Sequence, residues 1–349
     1  MPATRAAAIA GIPAGIAAGS LPQRAAAQSG MTNVSIGVVG STSESPLFIA
    51  DKLGYFREMG IVPSYVTADS AANMIAPLGT GQLDVATGGP SAGLYNAIAR
   101  GIDIKIVADK GSTPKGYGYM MLLVRKQLVE TGRYKGAKDL KGMRVSESAA
   151  GTIASPAIAR YLATAGLKYS DIDHVYLSFP QQVAALGGGA IDASLTVEPI
   201  ASSAIRQGIA VRAAGDDVMY PNQQLAVILY GGAFIKKADL GTRFMRAYIR
   251  GCRYYNDALR DGKLEGPNAP SVIAIMTQFS SIKDPTIIAA MTPNGNDPNG
   301  RLNVVSLAND LQFFKDQGLI EGSVTIEQSI DTSFVESALK ALPPYRRHV

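Results

Sequence analysis

Gly89-Pro90-Ser91-Ala92-Gly93 spells G-x-S-x-G between a strand-like and a helix-like stretch, the setting in which a serine nucleophile is held on a sharp turn. A hydrolytic triad of that order needs an acid and then a histidine downstream. The 349-residue chain has only two histidines. His348 is penultimate, and His174 opens a strand-like run and comes too early. Ser91, with Gly89 and Pro90, therefore reads better as a helix cap facing a ligand, with hydrolysis at Ser91 as the minor alternative. One cysteine, Cys252, excludes an internal disulfide framework and any C-x-x-C metal or redox site. No catalytic residue, metal site or cofactor is expected. Asn294-Gly-Asn-Asp-Pro-Asn-Gly300 is superficially a calcium loop, but it offers one carboxylate, lacks a closing Glu and reads as turns.

Three short, small, polar loops each follow a strand and precede a helix: Gly40 to Ser45, Gly88 to Ser91 and Ser146 to Thr152. Each offers backbone N–H groups, hydroxyls and the positive end of a helix dipole, which suits a carboxylate or sulfonate without a buried arginine. Ser41, Thr42, Ser43 and Ser45 are the candidates in the first loop, although simple N-capping explains Ser and Thr there equally well. Glu44 would repel an anion unless it turns away or pairs with a base. Gly151 and Thr152, with Ser155 one turn on, form the best anion site in the second half.

These loops sit in a chain that alternates strands and helices. Strands are predicted at Val34–Val39, Tyr65–Thr67, Asp84–Thr87 and Asp103–Ala108. After a turn-rich stretch from Asp109 to Gly116, they resume at Tyr119–Val124, Met143–Val145, His174–Leu177, Asp192–Val197, Ile209–Ala213 and Gln224–Leu229. Helical stretches lie between them, so the units are βαβ and the sheets mostly parallel. Beyond Lys236 the chain is almost wholly helical. Phe244, Met245, Tyr248, Ile249, Cys252 and Tyr255 recur with helical period, and these late helices are expected to pack back on the first half. Arg243, Arg246, Arg250 and Arg253 line one face of that helix. They read as a solvated stripe, since no aromatic interleaving marks a nucleic-acid surface.

At about 150 residues per domain the length allows two domains or one large one. With 47% hydrophobic and 17% charged residues the chain is globular. Residues 1–27 carry Arg5 and Arg24, no acid, an Ala-rich run broken by Pro13, and Ala25 and Ala27 before Gln28. This predicts a secretory leader removed near Ala27. The formal charge of +5 then falls, because 31 basic residues remain against 28 acidic ones. The small excess says little about partners.

Several stretches together resemble the nitrate/sulfonate/taurine-type solute-binding proteins of ABC importers. They are Ser45-Pro-Leu-Phe-Ile-Ala-Asp-Lys-Leu-Gly-Tyr-Phe-Arg-Glu-Met-Gly60, Gly81-Gln-Leu-Asp-Val-Ala-Thr-Gly-Gly-Pro-Ser91, Ala97-Ile-Ala-Arg-Gly101, Ile104-Lys-Ile-Val-Ala-Asp109, Asp139-Leu-Lys-Gly-Met-Arg-Val145 and Val197-Glu-Pro199. The similarity is dense from residue 34 to about 200 and thin afterwards. It implies a two-lobed α/β periplasmic-binding-protein type II fold with two interlobe crossings, near Asp109–Gly116 and Pro221–Gly231, and a helical C-terminal extension. Lobe 1 would be residues 31–110 plus 226–349, and lobe 2 residues 111–225. Tyr117 and Tyr119 after the first crossing, and Tyr220 before the second, could stack on a planar ligand. Lys110 at the crossing could counter an anion or simply be solvated. Glu198, where a strand meets a helix on the cleft side, could touch ligand or merely favour a helix dipole.

The resemblance implies a periplasmic, monomeric receptor that closes on a small organic anion and delivers it to an inner-membrane ABC permease. The superfamily includes aminopyrimidine (thiamine-precursor) binding proteins, an alternative ligand class. It is also similar to pyrimidine synthases, which carry a histidine and a cysteine-rich segment in their site, where this chain has one Cys and two poorly placed His. A sensor role presented to a receptor kinase is a third possibility, and the residues do not separate it from transport.

Overall fold

The computed structural model describes residues 30–348; the expected leader lies outside the described residues. Among the described residues there are ten strands: β1 (Thr32–Val38), β2 (Ile61–Thr67), β3 (Val85–Gly88), β4 (Ile104–Ser112), β5 (Met120–Arg125), β6 (Arg144–Glu147), β7 (Asp173–Tyr176), β8 (Ala193–Val197), β9 (Ala210–Gly215) and β10 (Gln224–Gly231). They form two five-stranded sheets, ordered β2-β1-β3-β10-β4 and β7-β6-β8-β5-β9. The chain passes from the first sheet to the second between β4 and β5 and returns between β9 and β10. Each sheet with its helices is called a lobe below.

The sheets are mixed, not mostly parallel. In each, two pairings are parallel (β1 with β2 and β3; β6 with β7 and β8) and two are antiparallel, made by β10 with β3 and β4 and by β5 with β8 and β9. The reason is the crossings. A strand entering a sheet from the other lobe has no crossover helix to turn it round, so it runs against its neighbours. Two boundaries also moved. β2 begins at Ile61 because Pro63 lies on an edge strand, where a missing N–H is tolerated. β4 runs through Asp109, which the sequence placed in a turn, because its carboxylate is bound by Gln224 Nε2, Gly111 N–H, Asn296 Nδ2 and Asp297 N–H. The 294–300 loop is thereby tied to β4.

The helix Ala238–Asn256 buries Phe244, Met245, Tyr248, Ile249, Cys252 and Tyr255 against Val34, Ile36, Leu47 and Phe48 of the first lobe, as its period required. Its arginine stripe is not simply solvated. Arg243 donates to Met59 O and Asp239, Arg250 pairs with Glu58, and Arg253 donates to Pro343 O and Asn299. Three of the four arginines thus fasten neighbouring segments to the helix. No helix among the described residues is long and apolar enough to cross a membrane. Nor does any group of three or more His, Cys, Asp or Glu among them have an arrangement able to hold a metal ion.

Candidate functional site

A cavity with about 620 Å³ of empty space, part of it open to solvent, lies between the strand ends of the two lobes. From the first lobe it is lined by Val39, Ser41, Ser43, Ser70, Gly89, Ser91 and Lys110; from the second by Tyr119, Met120, Ser148, Thr152, Ile153, Phe179, Leu195 and Val197. Ligand sites beyond the carboxyl ends of strands are the rule in open α/β sheets. The wall is therefore of two kinds: hydroxyls, and a larger apolar surface.

The Ser41–Ser45 loop is buried throughout. Ser41 and Ser43 reach the cavity, joined by a 3.0 Å bond between their hydroxyls, and Ser43 Oγ lies 3.5 Å from the Tyr119 hydroxyl across the cleft. Burial pushes the Tyr119 phenol well up, so it remains a donor. Glu44 does not face the cavity. Its Oε2 accepts Ser41 N–H (2.6 Å) and Ser41 Oγ (3.0 Å), and its Oε1 accepts Val39 N–H (3.2 Å), Thr87 Oγ1 (3.0 Å) and Lys110 Nζ (2.9 Å). Lys110 is 1% exposed. The solvated lysine is replaced by a buried ion pair, because both chains of donors converge on one carboxylate between β1, β3 and β4.

Ser91 caps the helix Ala92–Ala99: its Oγ accepts Leu94 N–H at 3.2 Å. Both ring nitrogens of His174 are engaged elsewhere, Nδ1 with Glu147 (3.2 Å) and Nε2 with Tyr169 O (3.0 Å). The serine therefore has no imidazole beside it among the described residues. Gly89 and Gly151 permit the lobes to meet. A Cβ on Gly89 would lie 2.7 Å from Ile153 Cγ2. One on Gly151, whose φ is +62°, would lie 2.9 Å from Ala92 Cβ. Gly151 O accepts Ala92 N–H at 2.9 Å, and Thr42 donates its N–H (3.3 Å) and Oγ1 (3.4 Å) to Glu198 O. These bonds join the two lobes directly. Across from them, the buried Thr152 Oγ1 has no hydrogen-bond partner among the described residues.

Eight of the expected contacts lie outside the lining. Thr42 holds the far lobe, as described. Ser45 Oγ donates back to Thr42 O (2.5 Å), a local helix-end bond. Pro90 and Gly151 are absent from the lining; Gly151 serves instead as a contact between the lobes. Tyr117 borders a separate crevice with Asp109, Asn222 and Gln224 on the far side of the crossings, because the strand β5 has not yet begun there. Glu198 is buried and accepts Ser202 N–H (2.9 Å), Ser202 Oγ (2.7 Å) and Thr292 N–H (3.0 Å); it clasps the 292 region of the first lobe and leaves the cavity to Val197. Tyr220 stacks under the Arg160 guanidinium, 3.6 Å from the ring centre, outside the cavity.

Ser155 is the eighth. Its Oγ donates to Glu147 Oε2 (2.5 Å), while Glu147 Oε1 accepts the Tyr169 hydroxyl (2.7 Å) and faces His174 Nδ1. Both acceptors beside the imidazole favour its doubly protonated form, and the Glu147 bond raises the His174 pKa above the usual 6.5. The sign follows from linkage. The extra stability is complete below about pH 6.5, where the unfolded histidine is also charged, and is lost as pH rises through the raised folded value. Wild type should therefore lose stability on going from pH 6 to 9 more steeply than His174→Gln, read as the pH dependence of the urea midpoint. Parallel curves would refute the pairing.

Sequence reasoning missed Ser70, Phe179 and the apolar wall. Ser70 and Phe179 each begin the turn into a helix after β2 and β7, so the strand-end rule that found the three serine loops could have found them.

The model of the NMT1-like family matches residues 27–262. The chain belongs to this family. Its motifs from Ser45 to Pro199 are thus those of the nitrate/sulfonate-type solute-binding group. Over 145 residues, 42% of the chain, it is 30% identical to a protein of Escherichia coli (strain K12) named for aliphatic-sulfonate binding. That stretch covers 43% of the relative, so the alignment spans less than half its length. Among solved structures, the NMT1-like chain is similar to the alkanesulfonate-binding protein SsuA of Xanthomonas axonopodis pv. citri bound to MOPS. The TM-score is 0.68 at 20% identity, covering 86% of this chain and 98% of that one. It is also similar to the desulfurization enzyme DSZB, with a TM-score of 0.61 at 17% identity, covering 88% and 99%. At these identities the two structures establish the two-lobed fold, which hosts both binding and catalysis.

Proposed function

We propose that this NMT1-like protein is a periplasmic receptor of an ABC importer. It traps a small organic anion of sulfonate or carboxylate type between its lobes and delivers it to a membrane permease. Lobe 1 comprises residues 31–110 and 226–349, lobe 2 residues 111–225, and the leader is removed near Ala27. The observation that carries the reading is the cavity between the strand ends, with hydroxyl donors from Ser41, Ser43, Ser91, Tyr119 and Thr152 and an apolar bed of Phe179, Leu195 and Val197. Donors suit the head group, and the bed suits a short hydrocarbon body. Ligand that bridges both lobes stabilises the closed form by contacts made only there, so binding and closure are one event. No covalent bond is made or broken.

The test is a thermal-shift panel on the chain from residue 28 onward: nitrate, taurine, butanesulfonate, pentanoate, benzoate and an aminopyrimidine. A ligand at 100 times its Kd adds about 2.7 kcal/mol of apparent stability. A shift with one of the organic anions, which is then recovered unaltered, is expected. Chemical conversion of a hit compound, or a flat response to the whole panel, would overturn the proposal.

A further inference from the structure

The buried lysine of the cleft has more donors than its partner uses. Lys110 lines the cavity, is 1% exposed, and its Nζ has one hydrogen-bond partner among the described residues, Glu44 Oε1. An ammonium carries three N–H donors. Glu44, in contrast, is fully occupied: two backbone N–H groups and two hydroxyls bind it besides the lysine. The carboxylate therefore leans little on Lys110, whereas the lysine has two N–H bonds left over in a place that water barely reaches. Buried cations with unmet donors are costly, and a second acceptor relieves that cost. The unpartnered Thr152 hydroxyl, from the opposite lobe, borders the same cavity.

Counting charge narrows the acceptor further. Among the described residues Lys110 is the sole Lys, Arg, Asp or Glu in the cavity lining, and Glu44 stands directly behind it. The pair is neutral as a whole, but its positive end faces inward. A ligand with one negative charge meets that end. A second negative charge would find no cation and would lie among Phe179, Leu195 and Val197, where an unpaired charge is strongly disfavoured. We infer that Lys110 is the contact for the ligand's charged group, and that the Glu44–Lys110 pair sets the cleft to monoanions, rejecting both dianions and neutral isosteres. This rests on the receptor reading above and specifies the charge its ligand must carry.

The experiment uses matched sets on the intact chain by titration calorimetry: pentanoate, pentanamide and glutarate; benzoate, benzamide and phthalate. Within the body that fits, the monoanion should bind at least tenfold tighter than both its amide and its dianion. Equal or tighter binding of an amide or dianion would overturn this inference and leave the receptor standing. Silence of both sets, with the chain shown folded by circular dichroism, would remove the receptor reading and this inference with it. A second measurement uses the paired variant Lys110→Met with Glu44→Gln, which removes both charges together and avoids leaving a bare buried carboxylate. The monoanion should lose at least tenfold in affinity while the amide loses less than threefold. Monoanion binding unchanged in that variant would also overturn the assignment.

Discussion

Replacing Gly89 with valine should lower affinity for the best organic-anion probe at least a hundredfold, while the unliganded protein unfolds within about 1 kcal/mol of wild type, as surface changes usually do. The position is where the lobes touch. A Cβ there would stand 2.7 Å from Ile153 Cγ2, 3.0 Å from Ile153 Cβ and 3.1 Å from the Leu225 carbonyl. Ile153 belongs to the second lobe, so only partial closure remains possible; Leu225 lies in β10 of the first sheet, and at 3.1 Å its carbonyl has to give by a few tenths of an ångström. In the open form the added methyls meet water and cost little. Gly93, four residues on, is the control. Only Ser91 Oγ, at 3.8 Å, lies near its Cβ direction, and Gly93→Ala in the helix Ala92–Ala99 should raise stability by about 0.5–1 kcal/mol without harming affinity. Small-angle scattering should show ligand-induced contraction in wild type and Gly93→Ala but not in Gly89→Val. Wild-type affinity in Gly89→Val would show that the closed contact is dispensable for binding.

Glu44→Ala should destabilise the protein by about 3–5 kcal/mol, the usual cost of stripping one partner from a buried ion pair. The side chain is fully buried, and five donors from β3, β4 and the loop after β1 converge on it. Its removal leaves the Lys110 ammonium unpaired and two backbone N–H groups without acceptors. The urea midpoint of the first-lobe transition should fall with little change in slope. A loss under 1 kcal/mol would mean that water enters and solvates Lys110, which its 1% exposure does not permit.

The ten strands were legible because each is a local matter: a β-rich run between turn formers marks its own place. The family motifs were legible for the same reason, since Ser45–Gly60 and Gly81–Ser91 are contiguous. Strand direction was not. That β10 and β5 run against their neighbours depends on where the chain comes from, and no residue within either strand encodes it.

Within the site, the sequence alone identified the serine loops at strand ends, since hydroxyls and backbone N–H groups at helix starts are visible as composition. It could not say which hydroxyl faces inward: Ser41, Ser43 and Ser91 do, while Thr42, Ser45 and Ser155 bond to protein. Side-chain direction at a tight turn depends on a few torsions that residue type leaves open. Nor could it pair residues far apart in the chain. Glu44 meets Lys110 across 66 positions, and Glu198 meets Thr292 across 94. Such partners are chosen only when the sheets assemble, because burial makes each charge or donor take the nearest available acceptor. The sequence thus determined the strands, the family and the kind of surface at the cleft. Tertiary packing decided its charge.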